Sequence, residues 1–213
     1  MRWILCLLFS ASLSAALAQS DDMPDYRSKK DSYTKMAEKD IKNDLSAFTM
    51  TGIDESVGKT PLVRIPATNY GNNFMTFEGN NIKVEIKSGP FFPTQHKLEY
   101  ADDNNKYLVK IDKKAYYGNY GSMPGTQIKS ITVVVDKDTV AIPSTAYFDL
   151  YNPNLTYTEG GNQKSYNGVY LSPDKHNIYI YMLSRDTNGS YEVTWVIKDK
   201  KYLRRVVDYG FLK

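Results

Sequence analysis

The residues of this sequence best suited to chemistry are its tyrosines. There are 18 of them, against 8 phenylalanines and 2 tryptophans. Tyrosine joins a flat apolar face to a hydroxyl group, so it suits a half-wet binding surface, although it also favours strands for packing reasons alone. We expect a ligand, either a glycan or a protein, to be bound by the five tyrosines of the glycine- and asparagine-rich stretches: Tyr116, Tyr117, Tyr120, Tyr157 and Tyr166.

Metal ligands are sparse in this chain. His96 and His176 are its two histidines, and neither has a second histidine at a spacing typical of paired ligands. The single cysteine is Cys6. Turns such as 136–138 are rich in aspartate, but none belongs to a twelve-residue calcium loop that ends in glutamate. The sequence therefore predicts surface histidines, no metal and no other cofactor.

Catalytic motifs are weak. Ser32 and Lys35 match a Ser-x-x-Lys pattern, but its companion motifs are absent, as is a Gly-x-Ser-x-Gly turn. Carboxylates are plentiful, and two of them brought together by folding are enough to hydrolyse a glycoside. A secreted hydrolase with carboxylate-based acid/base catalysis is therefore an alternative to a binding protein. A structural component of the cell envelope is a third hypothesis.

The N-terminus has the three parts of a secretory signal peptide. Arg2 supplies a positive end, an apolar run begins at Trp3, and Ala16-Leu17-Ala18 fits the cleavage rule. We predict a signal peptide over 1–18, cleaved after Ala18, and a flexible polar leader over 19–30. The mature protein is expected to be secreted or periplasmic, with no transmembrane segment, since no second long apolar block follows.

Charge and cysteine content limit the range of partners. The formal net charge is +3, and charges of both signs are interspersed. No basic stripe stands out, so nucleic acid is not an expected partner. Cys6 falls in the predicted signal, so the mature chain has no disulfide and depends on its core for stability. Composition leaves the oligomeric state open.

One helix is expected near the start of the mature chain. Between residues 31 and 48, five apolar or aromatic side chains recur at three- and four-residue steps: Tyr33, Ala37, Ile41, Leu45 and Phe48. Polar residues occupy the other positions. This pattern predicts an amphipathic helix over 31–48 that packs on a sheet.

The rest of the chain reads as strands separated by turns. Residues 178–183, 191–197 and 203–209 predict a three-stranded meander, and the alternation after Tyr191 predicts one buried and one wet face. The apolar run 127–135 predicts a central strand that is covered on both sides. Residues 143–151 suit a short helix, and 158–167 suit an exposed loop.

About ten strand candidates at short spacing predict a mainly β fold. We expect an antiparallel β-sandwich or partly open barrel with one N-terminal amphipathic helix, forming a single domain over 31–213. The function expected from this combination is that of an exported, non-catalytic binding module.

Overall fold

The computed structural model describes residues 36–49, 62–185 and 189–209. Helix α1 (Lys39–Ser46) comes first. Fourteen strands follow in the described part of the chain: β1 (Val63–Ile65), β2 (Ala67–Tyr70), β3 (Phe74–Gly79), β4 (Ile82–Pro90), β5 (Leu98–Tyr100), β6 (Leu108–Ile111), β7 (Thr126–Val135), β8 (Asp138–Val140), β9 (Tyr157–Glu159), β10 (Asn162–Lys164), β11 (Gly168–Leu171), β12 (Asn177–Ser184), β13 (Tyr191–Lys198) and β14 (Lys201–Tyr209). The predicted signal peptide and leader lie outside the described residues.

Two five-stranded antiparallel sheets form the body of the molecule. The first sheet has the order β1-β11-β12-β13-β14, and the second has the order β2-β3-β4-β7-β8. Their facing sides enclose the main core, in which Trp195 and Ile180 of the first sheet join Phe77 and Val84 of the second. The described strands do not close into a barrel. The prediction of a mainly antiparallel β fold with one helix near the N-terminus is confirmed.

The meander β12-β13-β14 is confirmed, but the prediction that one face of β13 is wet is wrong. The burial pattern shows every residue of β12 buried, and every residue of β13 except Lys198. The outer face is covered because α1 places Ile41 and Leu45 against Tyr179 and Val196. The prediction that the helix packs on the sheet is therefore confirmed.

The helix is shorter than the predicted span 31–48. It begins at Lys39, and the preceding residue Glu38 has an extended backbone, with φ −79° and ψ 97°. Met36 is buried in the cluster between helix and sheet, and Glu38 pairs with Arg204 of β14. Tertiary contacts therefore fix this segment in a non-helical form. Residues 31–35 lie outside the described residues.

Strand β7 is covered on one face only, contrary to the prediction for 127–135. Ile131 and Val133 are buried against the core, whereas Thr132 on the other face is exposed. Ile128 joins the buried side because Lys129 is an extra residue: its neighbours Ile128 and Ser130 pair with successive residues of β4. A bulge of this kind reverses the alternation, which simple period-two counting cannot follow.

Two short segments differ from expectation. The stretch 158–167, predicted as a loop, contains most of the hairpin β9-β10, whose turn residues Gly160 and Gly161 have φ of +59° and +80°. The stretch 143–151 holds only a single 3-10 turn, Ser144–Ala146. The helix does not extend further because backbone groups later in this stretch form hydrogen bonds with other parts of the chain. For example, the Tyr151 amide donates to the Tyr117 carbonyl.

An ion pair joins the chain after that turn to the edge strand β14. The guanidinium of Arg205 donates to both carboxylate oxygens of Asp149, with Nη2 lying 2.6 Å from Oδ2. The side chain of Arg205 is 22% exposed and that of Asp149 is 11% exposed, so the pair is largely buried. The two-pronged geometry holds residues 146–151 against the first sheet.

In the described part of the chain, no helix has the length and apolar character needed to cross a membrane.

We predict that Asp149→Asn lowers the free energy of unfolding by about 2–3 kcal/mol, because it leaves the half-buried Arg205 without its counter-charge. Urea unfolding followed by tryptophan fluorescence measures the change. Glu78→Gln is the matched control, because it breaks an exposed pair with Lys83 and should cost less than about 1 kcal/mol. Equal losses in the two variants would contradict the prediction.

Candidate functional site

Among the described residues, a cleft opens between the two sheets at the end of the sandwich. Four turns border it, and its volume is about 500 Å³. Two polar turn residues from each sheet stand at its rim: Asn81 and Asp136 of the second, His176 and Lys200 of the first. We call this place the end cleft. Its size lies in the range of small-molecule sites, so its electrostatics decide what it can do.

Opposite charges pair across the rim of the end cleft. The Lys200 ammonium lies 2.7 Å from the Asp136 carboxylate and 3.0 Å from that of Asp138, so it links the two sheets. His176 Nδ1 lies 2.6 Å from Asp199 Oδ1. The hydrogen bond from Lys200 lowers the pKa of Asp136, and the hydrogen bond to Asp199 raises the pKa of His176. The charges of this rim are therefore largely neutralised by one another.

General acid catalysis needs a carboxyl group that stays protonated. Burial raises the pKa of the Asp44 carboxyl group. Its carboxylate accepts a hydrogen bond of 2.6 Å from the Tyr179 hydroxyl beneath α1, and it does not line the end cleft. The end cleft thus lacks the asymmetric pair of carboxyl groups that a glycoside hydrolase uses.

The second candidate place lies where the first and second sheets meet at an edge. The chain passes from the first sheet to the second at Pro66, which lies between β1 and β2. Residues of the hairpin β9-β10 lie alongside. A groove of about 170 Å³ is lined there by Arg64, Tyr70 and Lys164, among other residues. Tyr157 is the first residue of the hairpin, and Tyr166 lies just after its end. We call the groove together with these two tyrosines and Arg185 the edge site.

Tyr157 and Tyr166 stack face to face. Their ring centroids are 4.3 Å apart and their planes differ by 14°. Arg185 completes the arrangement, since its Nη1 donates a hydrogen bond of 2.8 Å to the Tyr166 hydroxyl and its guanidinium carbon lies 5.1 Å from the ring centroid. The stack presents aromatic surface beside hydroxyl groups and a cation, a combination suited to polar ligands with an apolar face.

A buried asparagine holds the stack in place. The Asn167 side chain is 1% exposed and donates hydrogen bonds of 2.9 and 3.0 Å to the carbonyls of Asn154 and Leu155. Its side-chain oxygen accepts a bond of 3.0 Å from the Leu183 amide in β12. Asn167 therefore ties the chain before Tyr157 to the sheet.

The other three predicted ligand tyrosines are placed differently. Tyr116 is 3% exposed, and its hydroxyl donates to backbone carbonyls at 3.1 and 3.2 Å and accepts from the Gly121 amide at 3.1 Å. Burial raises the pKa of Tyr116 to about 12. Tyr117 is half-buried and packs on the main core beside Tyr209. Tyr120 is 38% exposed and meets the exposed ring of Tyr107 edge to face.

The structure brings together Tyr157 and Tyr166 and keeps Tyr116, Tyr117 and Tyr120 in a separate region. That these five residues bind a ligand stays a prediction. Sequence reasoning did not find Arg185 or Asn167. Arg185 lies 19 residues from its partner Tyr166, and only the pairing of β11 with β12 brings them close. No local pattern in the sequence marks such a contact.

Metal-binding chemistry has no support in the part of the chain that the structure describes, where no group of three or more histidine, cysteine, aspartate or glutamate side chains is placed to hold an ion. In comparisons with known proteins, no family model, curated sequence or solved structure matches this chain. Its function must therefore be argued from the site alone.

We predict that Asn167→Ala lowers the free energy of unfolding by about 2–3 kcal/mol, because it deprives buried backbone groups of their partners. Thermal and urea unfolding measure the change. Gln163→Ala, in the same hairpin but exposed, should stay within about 0.5 kcal/mol of the wild type. A loss no larger for Asn167→Ala than for this control would show that the amide does not hold the hairpin.

The His176–Asp199 pair predicts a pH dependence. Because the folded-state pKa of His176 is raised above the ordinary value of about 6.5, its stabilisation is present below that value and is lost as the pH rises through the raised pKa. The difference in free energy of unfolding between wild type and His176→Gln should therefore be positive near pH 5.5 and shrink towards pH 8.5. An imidazole pKa at or below 6.5, measured by NMR titration, would contradict this account.

Proposed function

We propose that this protein is an exported, non-catalytic binding module that binds a glycan at the edge site. The observation that carries the proposal is the stacked pair Tyr157–Tyr166, together with a groove that is lined by the sequence neighbours of Tyr166, Ser165 and Asn167. A pyranose ring has a face of C–H groups and a rim of hydroxyls. An aromatic ring with adjacent hydrogen-bonding groups is complementary to both parts.

The shape of the edge site supports a chain-like ligand. Its groove is small, about 170 Å³, and exposed residues of the hairpin β9-β10 form part of its lining. The lining side chains of Tyr70 and Gln163 add aromatic surface and an amide. One or two sugar units fit such a volume, and the rest of an oligosaccharide would extend over the hairpin.

Hydrolysis is less well supported than binding. A hydrolase needs two carboxyl groups whose environments push their pKa values apart. At the end cleft, Asp136 and Asp199 each face a cation, and at the edge site the carboxylate of Glu159 pairs with Lys164 at 2.5 Å. None of these three carboxylates lies in the apolar setting that would suit a general acid, and the pKa of Asp136 is lowered by the hydrogen bond from Lys200.

A second candidate function is favoured by a separate surface. Tyr107 and Met123 are exposed near Tyr120, with Tyr107 at 48%. Amphipathic rings of this kind are enriched where proteins bind one another. A protein partner packed on this surface is therefore the alternative to a glycan at the edge site.

We predict that Tyr157→Ala combined with Tyr166→Ala lowers glycan affinity at least tenfold, because it removes the stacking surface. A glycan array identifies the ligands, and affinity gel electrophoresis or calorimetry measures the dissociation constants. Circular dichroism and thermal melting check that the variant is folded.

The double variant Tyr107→Ala, Tyr120→Ala is the matched control, because it removes two exposed rings away from the edge site. It should keep wild-type glycan affinity. If it loses glycan affinity while the Tyr157/Tyr166 variant does not, the proposed site is wrong. If no glycan binds and the control variant loses a protein partner recovered by pull-down, the second candidate is the better one.

A further inference from the structure

Arg185 is a cation that is held in place by hydrogen bonds and pairs with no carboxylate of the described residues. Its backbone amide donates to Asn154 Oδ1 at 2.6 Å, and its Nη1 donates to the Tyr166 hydroxyl at 2.8 Å. Within residues 36–49, 62–185 and 189–209, no carboxylate pairs with it. A guanidinium has five N–H donors, so most of those on Arg185 remain available.

The Tyr166 hydroxyl lies beside this cation. Its oxygen accepts the bond from Arg185. A hydrogen bond between the two tyrosine hydroxyls raises the pKa of Tyr157. The hydroxyl groups of the stack and the free N–H groups of Arg185 therefore lie next to each other.

The groove beside the stack has the same sign of charge. Arg64 and Lys164 line it, and of these Lys164 is neutralised by Glu159. Arg64 has no carboxylate partner among the described residues. The edge site thus carries an excess of positive charge, whereas at the end cleft Lys200 and His176 each lie beside a carboxylate.

We infer that the ligand of the edge site is an acidic glycan whose sugar units carry carboxylates, as in uronic acids. This inference rests on the proposed glycan-binding function. Arg185 and Tyr166 bind the carboxylate, and the ring of Tyr157 packs against the sugar. A guanidinium group can donate two parallel hydrogen bonds to the two oxygens of a carboxylate. These oxygens have further lone pairs, which can accept a hydrogen bond from the tyrosine hydroxyl.

The experiment compares four polymers by affinity gel electrophoresis of the purified protein: polygalacturonate, its methyl ester, dextran and dextran sulfate. The methyl ester keeps the sugar and removes the charge. We expect polygalacturonate to bind at least tenfold more tightly than its ester, and added salt to weaken that binding.

The variants separate a specific contact from general attraction. Arg185→Gln should lower polygalacturonate affinity at least tenfold, and Arg185→Lys should retain part of it, because the charge stays and the fork is lost. Lys137→Gln removes one exposed charge in the turn after β7, at the end-cleft end of the sandwich. It should change affinity by less than about twofold, since that charge is screened there.

Three results overturn the inference and leave the proposed function standing. The first is equal binding of polygalacturonate and its ester by a site that still needs Tyr157. The second is equal affinity of Arg185→Gln and Lys137→Gln for polygalacturonate. The third is tight binding of dextran sulfate without polygalacturonate, which would favour sulfated sugars. Failure of every glycan, neutral or charged, removes the proposed function as well.

Discussion

Strands β12 and β13 bury both of their faces, and the rest of the structure is arranged to meet that constraint. One face meets the second sheet through Ile180 and Trp195, and the other meets α1 through Tyr179 and Val196. Burial of apolar area at about 25 cal/mol per Å² makes these strands the main source of stability. Polar groups on the same strands must then find partners inside, as the Tyr181 hydroxyl does by donating to Glu192.

The same constraint explains what could be predicted of the fold. Alternation along single strands depends on local sequence, so the strands and the meander could be found from it. Coverage of the second face of β13 depends on a helix that is more than 140 residues away in the sequence. The bulge at Lys129 depends on the partner strand β4. Neither is encoded in the local pattern, which is why the predictions of a wet face on β13 and of two covered faces for 127–135 are wrong.

The residues of the candidate sites also differ in how far they could be predicted from the sequence. Tyr157 and Tyr166 could be singled out because glycine and asparagine surround them in the sequence. Tyr116 has the same kind of neighbours, but they fold over it and its hydroxyl bonds their backbone. Composition predicts that a tyrosine lies outside the regular strands, but whether its ring remains accessible depends on tertiary packing. Arg185 could not be predicted at all, because strand pairing alone brings it to Tyr166.

Among the described residues, the end cleft and the edge site differ chiefly in whether their charges are already paired. At the end cleft, an incoming charged ligand must compete with partners such as Asp136 for Lys200, and the exchange yields little free energy. At the edge site, Arg185 is positioned by the Tyr166 hydroxyl and by its own backbone bond, and no described carboxylate competes with an incoming anion for it. Asn167 fixes this geometry through buried hydrogen bonds. Binding therefore loses little free energy to the ordering of the edge site. For these reasons the smaller of the two places is the better candidate for ligand recognition.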